Sequence, residues 1–307
     1  MIRIGIIGIG RMGNYHAKTV QAHPDCKLVG FFDTDESQAK AAMEIYPGTI
    51  EFTNIFEIKE QCDAVILSSP ASTHYLWLKV LSKTDLHILC EKPCTDTYEQ
   101  YLHVSELFKN KKNVVNIGFT ERFNPTVLAL KPMIKEDLPE IMTYFTRKSF
   151  TKRNCDVSCV VDTMIHDIDL AMFLFPNIGL PTNVSIKEVK HIGVTSIATA
   201  LVEFKGHSIL FDCSKEYAPV EPFSKAVRSI NSYSGSRKVF EANLLHQSIN
   251  QQFIPQPDRD SLSLQLDAFL EAISSRKHSG VSLEQAGPAM HIAGLIDNKI
   301  YKSLYGN

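Results

Sequence analysis

The chain has 307 residues, enough for one large domain or two of ordinary size. Its composition, 44% hydrophobic and 21% charged, is that of a soluble globular protein. The formal net charge of −2 gives no drive toward polyanions, so neither nucleic acid nor an anionic membrane surface is an expected partner. No apolar run is long enough to cross a bilayer, and MIRIGIIGIG reads as a first strand, not a targeting segment. Seven cysteines lie scattered at 26, 62, 90, 94, 155, 159 and 213, which suggests reduced thiols and a cytoplasmic location. Cys155 and Cys159 share a helical spacing, but no second Cys/His pair completes a site, so no metal is expected.

In chain order, Ile2 to Ile7 reads as a strand, Arg11 to Ala22 as a helix and Lys27 to Phe32 as a strand. A helix over Glu36 to Ile45, a strand over Ala64 to Leu67 and a helix over Tyr75 to Leu81 follow. A strand (His87 to Cys90), a helix (Tyr98 to Lys109) and a strand (Val114 to Gly118) complete the run. Such alternation implies βαβ units and a parallel sheet covered on both faces. Beyond Gly118 the rhythm changes to a helix (Pro125 to Lys135), a strand (Ile141 to Lys148) and an apolar helix, CVVDTMIHDIDLAMFLF, over 159–175. Five strand patterns then follow with little helix between them: 182–191, 195–204, 208–214, 226–232 and 238–243. QQFIPQPDRD reads as a loop, and helices over 262–273 and 283–305 end the chain.

The fold expected is α/β: an N-terminal Rossmann doubly wound parallel sheet over 1–120, then a C-terminal α+β domain over 121–282. The second domain carries a large, mainly antiparallel, open-faced sheet, and the last helix is expected to pack near the first domain.

Two motifs carry chemistry. GIGRMG (8–13) fits G-x-G-x-x-G directly after a chain-initial strand and opens a helix. Gly8 permits the tight turn, Gly10 lets backbone approach a pyrophosphate, and Gly13 lets the helix pack closely on the sheet. Free N–H groups at the helix start, around Arg11 and Met12, suit the anion. Asp33 follows Gly13 by 20 residues, at the end of the next strand, where it would accept bonds from ribose hydroxyls. The cofactor expected is NAD; NADP is less favoured because no Arg follows Asp33 in TDESQ. The second motif, HILCEKPCTDT, sets Glu91 and Lys92 at the C-terminal edge of a parallel strand, where open α/β sheets bind ligands.

With both motifs in place, the chain resembles the glucose–fructose oxidoreductase / inositol dehydrogenase / MocA (Gfo/Idh/MocA) family of NAD(P)-dependent oxidoreductases. The matching stretches are GIGRMG with Asp33, SSPASTHY (68–75), EKP (91–93), GFTERFNP (118–125), DTMIHDID (162–169) and DAFLEAI (267–273). The resemblance implies that Lys92, Asp162 and His166 converge where a nicotinamide meets a sugar or polyol hydroxyl. It also implies that Ser69, Pro70, His74 and Glu91 join the glycine turn in holding the dinucleotide.

The physical roles fit. An imidazole can take the hydroxyl proton near neutral pH. Lys92 would stabilise developing alkoxide charge, and Asp162 would orient the ring or relay the proton. Asp162, His166 and Asp169 share a helical face with Phe173. Asp169 is placed to hold a substrate hydroxyl or a partner side chain behind the site, whereas Asp167 lies off that face, at a solvent-side contact.

Within the family the chain is most similar to the UDP-N-acetylglucosamine 3-dehydrogenase branch. Its diphosphate calls for cations, and TRKSFTKRNCD offers Arg147, Lys148, Lys152 and Arg153, with Arg122 and Asn124 as further substrate contacts. Alternatives are an inositol or simple-sugar dehydrogenase, and a non-catalytic NAD-binding sensor. The resemblance further suggests a homodimer or homotetramer built through the C-terminal sheet; the alternating apolar residues of 197–204 are compatible with that face and equally with a core strand.

Overall fold

The computed structural model of the chain describes residues 1–134, 140–150, 156–192, 194–216, 226–275 and 279–306. Two compact units divide it: Met1–Phe119 with Leu262–Gly287, and Thr120–Ser261 with Pro288–Asn307.

In the first unit the elements run β1 (Ile2–Ile7), α1 (Arg11–Ala22), β2 (Cys26–Phe32), α2 (Glu36–Ile45), β3 (Ile50–Glu51) and α3 (Ile55–Gln61). They continue with β4 (Ala64–Leu67), α4 (Ala71–Leu81), β5 (His87–Cys90), α5 (Tyr98–Phe108) and β6 (Val115–Ile117). The strands form one parallel sheet in the order β3-β2-β1-β4-β5-β6. That is the doubly wound dinucleotide-binding order, with its switch point between β1 and β4. Ala64–Leu67 is buried throughout, as a strand covered on both faces must be.

The second unit contains α6 (Pro125–Leu130), β7 (Ile141–Ser149), a π-helical turn (Val160–Met164) and α7 (Ile165–Leu174). After these come β8 (Asn183–Ile192), β9 (Val194–Phe204), β10 (His207–Ser214), β11 (Ala226–Ser234), β12 (Arg237–Asn243), β13 (Ser248–Ile249) and β14 (Gln252–Phe253). The chain ends with α8 (Ser261–Ser275) and α9 (Leu283–Tyr305). The eight strands pair in the order β14-β13-β12-β11-β7-β10-β9-β8, antiparallel except where β7 runs parallel to β10.

Alternation along β9 divides its residues between the two faces. Ala198, Ala200, Val202 and Phe204 join Phe145, Ile209, Phe211 and Ile230 in the core. Of the two readings of 197–204, the core strand holds for these four residues of β9; Ile197 and Leu201 remain half-buried on the opposite face.

The course of α8 differs from the sequence expectation. Its Leu266, Phe269, Leu270 and Ile273 pack with Ile4, Ile6, Phe31, Ile66 and Leu89 in the core of the first unit. His23 Nε2 bonds Asp267 Oδ1 at 2.8 Å in the same unit. Residues 262–282 are thus part of the first unit, while α9 counts with the second unit from Pro288 onward.

Candidate active site

The glycine turn is built as its pattern requires. Gly8 has φ +87°, and a Cβ there would lie 2.4 Å from the backbone of Ser69. A Cβ on Gly13 would lie 2.2 Å from the Gly8 carbonyl oxygen. Gly10 is different, because a Cβ would meet nothing within 4 Å. The protein's own packing does not demand glycine there, so the open space above it suits an approaching ligand backbone or phosphate. The N-cap of α1 is Gly10 itself, which has no side chain to satisfy the first N–H groups. Asn14 Nδ2 pins the turn by donating to the carbonyls of Ile9 and Gly10 at 2.9 and 3.0 Å.

Asp33 accepts the Ile9 N–H at 2.8 Å through Oδ2 and the Asp35 N–H at 3.0 Å through Oδ1. The carboxylate is thereby fixed beside the turn, and each oxygen keeps acceptor capacity for a hydroxyl. A dinucleotide fits these residues: N–H groups of α1 for the pyrophosphate, open space at Gly10, and Asp33 for the ribose.

Lys92 emerges half-exposed between two buried neighbours. Glu91, 7% exposed, takes a 2.7 Å bond from His16 Nε2 on α1 and accepts the Lys92 N–H through Oε2 at 3.3 Å. Burial alone would raise its pKa, but His16, Lys92 and His74 outweigh it and hold the carboxyl below its ordinary value. The Lys92–Pro93 bond is cis.

His74, 1% exposed, sits between two backbone carbonyls, Pro93 O at 2.7 Å from Nδ1 and Ser69 O at 2.9 Å from Nε2. Burial pushes its imidazole pKa down, against the pull of those carbonyls. Glu91 and His74 are buried braces that tie α1 and α4 to the Lys92 turn. Ser69 and Pro70 follow the end of β4, with the Ser69 backbone against Gly8 and Ser69 Oγ 2.7 Å from Thr73 Oγ1.

On the second unit, the segment 159–174 opens with the π turn and continues as α7. The wider turn means that the one-face alignment of an α-helix holds only from Ile165 onward. Asp162, Thr163 and His166 are half-buried, in a segment where Val160, Val161, Met164, Ile165, Ile168 and Leu170 are fully or nearly buried. Asp162 Oδ2 lies 2.8 Å from Lys215 Nζ, a partner that the sequence reading missed.

Asp169 and Asp167 have other fates. Asp169, 1% exposed, accepts Arg122 Nε at 2.8 Å and Nη2 at 2.6 Å. Asp167, 3% exposed, accepts Arg147 Nε at 3.0 Å and Nη2 at 2.7 Å, and Arg147 Nη1 reaches Glu121 at 2.9 Å. Burial raises both aspartate pKa values, and the paired guanidinium opposes it in each case.

Four expectations change accordingly. Asp167 is not a solvent-side residue. Arg147 belongs to β7 and is buried, not a loop cation aimed at a diphosphate. Arg122 and Asp169 grip each other as a two-point pair, which is the partner role expected of Asp169 but not the phosphate contact expected of Arg122. Asn124 caps α6, accepting the Thr126 N–H at 3.0 Å and donating to Leu244 O at 3.3 Å. Lys148 also pairs, with Asp212 at 2.6 Å. Lys152, Arg153 and Cys155 lie outside the described residues. Among the described residues, no group of three or more His, Cys, Asp or Glu could hold a metal ion, and no helix is long and apolar enough to cross a membrane.

A doubly wound sheet with a glycine turn and an aspartate fixed beside it is the architecture that binds a dinucleotide. Residues 2–119 match the profile of GFO_IDH_MocA, the oxidoreductase family with an NAD-binding Rossmann fold. The match covers residues 2–119 of the first unit, and it is to this family that the unit is similar.

The chain is 28% identical over 197 residues to the UDP-N-acetylglucosamine 3-dehydrogenase of Acidithiobacillus ferrooxidans, covering 64% of this chain and 59% of that one. It is also 28% identical over 182 residues to the inositol 2-dehydrogenase of Rhizobium meliloti, covering 56% and 54%. The matches thus span little more than half the length of these curated relatives. The solved structure of UDP-N-acetylglucosamine 3-dehydrogenase GnnA from A. ferrooxidans superposes with a TM-score of 0.85 at 22% identity, over 97% of both chains. The whole chain therefore shares that two-part fold.

Proposed function

We propose that this chain is an NAD-dependent dehydrogenase that oxidises a secondary hydroxyl of a sugar, the C3 hydroxyl of a UDP-N-acetylhexosamine being the specific reading. The observation that carries it is that Asp162 and His166 stay half-buried on a mostly buried helical segment, in a chain whose other unit holds a dinucleotide cradle and Lys92. NAD, when bound, supplies the hydride acceptor. His166 takes the hydroxyl proton as the carbon–hydrogen bond breaks. Lys92 donates to the reacting oxygen and stabilises its growing negative charge. Asp33 prefers NAD, because its carboxylate repels a 2′-phosphate.

The relatives named for UDP-N-acetylglucosamine support the nucleotide-sugar reading. A second reading, an inositol or simple sugar as substrate, is favoured by the fate of the cations. Arg122, Arg147 and Lys148 are all paired with carboxylates. Assembly into a dimer or tetramer through the outward face of the eight-stranded sheet, which carries Tyr144 and Tyr233 edge to face at 5.9 Å, belongs to the same proposal.

NADH formation across UDP-sugars, free sugars, sugar phosphates and inositols tests it. UDP-N-acetylhexosamine is expected to give the highest kcat/KM. A preference for inositol replaces the first reading by the second, and silence across the panel overturns both. In the same assay, Asp33→Ala is expected to weaken NAD by about tenfold or more while leaving NADP nearly unchanged; equal losses would remove the ribose assignment.

A further inference from the structure

Three residues from outside it fasten the first turn of the His166 segment. Ser158 Oγ donates to both carboxylate oxygens of Asp297 on α9, at 3.0 and 2.9 Å, and its carbonyl accepts the Asp162 N–H at 3.0 Å. Cys213 Sγ donates to the Cys159 carbonyl at 3.7 Å. Just past the end of β10, Lys215 sets its ammonium 2.8 Å from Asp162 Oδ2, with the two side chains 8% and 17% exposed. The Lys215 N–H donates to the Ser196 carbonyl at 2.9 Å, so the neighbouring strand fixes where this side chain starts.

Lysine is among the residues most rarely buried, and its desolvation is tolerated only against a compensating charge. Here the compensating charge is Asp162, the carboxylate expected to orient His166 or relay its proton. A carboxylate in contact with an ammonium favours its ionised form and is a poor proton acceptor. A relay through Asp162 would have to protonate it beside that cation.

We propose that Lys215 is a positioning residue for the reaction: it holds Asp162 as a fixed anion on the His166 segment, and His166 alone takes the proton. The inference rests on the dehydrogenase reading and narrows it, since of the two roles expected for Asp162 only orientation survives. Removing the lysine charge frees the Asp162 side chain from its anchor without touching the dinucleotide cradle, which belongs to the other unit.

The test is steady-state NADH formation by full-length wild type, Lys215→Met, Lys215→Gln, Lys215→Arg, Asp162→Asn and Lys215→Met/Asp162→Asn. Each is assayed with the panel sugar that the wild type oxidises fastest, and NAD affinity is measured by calorimetry. The outcomes are read on whichever neutral variant keeps wild-type NAD affinity. Its kcat is expected to fall about ten- to a hundredfold, short of the 10²–10⁴ of losing the proton acceptor itself. KM should stay within about twofold. Lys215→Arg should keep most of the wild-type kcat. In the Asp162→Asn background, loss of Lys215 should add little. A neutral variant with wild-type kcat, or losses that add fully in the double variant, overturns the proposal. A wild type inactive on every sugar sinks the dehydrogenase reading itself, which is a different result.

Discussion

Asp167 and Asp169 flank His166 within one helical turn, yet they take no part in its exposure. Each is buried against one arginine, whereas Asp162 and His166 stay half-exposed. Removing one member of a buried pair leaves the other charge without compensation, which typically costs about 3–5 kcal/mol. Arg147→Ala is therefore expected to destabilise the chain by roughly that amount in urea denaturation. Its effect on KM for a nucleotide sugar should be small in whatever fraction stays folded. A stability loss under about 1 kcal/mol would mean that the Asp167–Arg147–Glu121 group is peripheral.

The sequence held a signal for this burial. Arg147 falls in phase with Ile141, Thr143 and Phe145 along β7, so period-two alternation places it on the core face. A cluster of cations read as a charge run hid that phase. The Lys215–Asp162 contact had no such signal, since 53 residues separate the two and no spacing rule links them.

At the scale of elements, helices and strands with strong periodicity and clear caps were legible almost to the residue, α1, α2, β1, β4 and α9 among them. The two-residue strands β3, β13 and β14 are too short to show alternation. Helix α3 could have been read, because Asn54 caps the Phe56 and Glu57 N–H groups and a glutamate stands at the third helical position. The π turn before α7 was not legible; its composition is that of a buried α-helix, and only its surroundings decide how the first turn is wound.

The glycine turn separates packing from binding in a way that can be measured. Gly8→Ala must place a Cβ 2.4 Å from Ser69 at a positive φ, so a lower Tm is expected. Gly10→Ala meets no atom within 4 Å, so its Tm should match the wild type while NAD affinity falls by about tenfold or more. Equal NAD affinity in Gly10→Ala would mean that no phosphate approaches that position.

For the whole molecule, stability carries a pH dependence of its own. Burial raises the Asp297 carboxyl from 3.8 to about 6, with only the Ser158 hydroxyl opposing it. An acid whose folded pKa is raised binds its proton more tightly in the folded chain. Stability therefore declines as pH rises from about 4 to about 6, and the deficit is complete above that window. Asp297→Asn abolishes the ionisation. Its Tm is expected to exceed the wild type's at about pH 7.5 and to match it near pH 4. A gain of the same size at both pH values would contradict this.

The two-part organisation was legible because the change from alternating to strand-rich pattern near residue 120 is a change of period. The allegiance of α8 was not, because its apolar stripe would suit either core and only its packing against Ile4 and Phe31 decides.

The claim on which the account rests is that Lys92 in one unit and His166 in the other serve the same hydride transfer. Single-turnover NADH formation by Lys92→Ala and His166→Ala, with NAD saturating and its affinity measured separately, tests it most directly. The account predicts that each variant binds NAD like the wild type and transfers hydride at least about 10²-fold more slowly. Wild-type turnover in either one would contradict it.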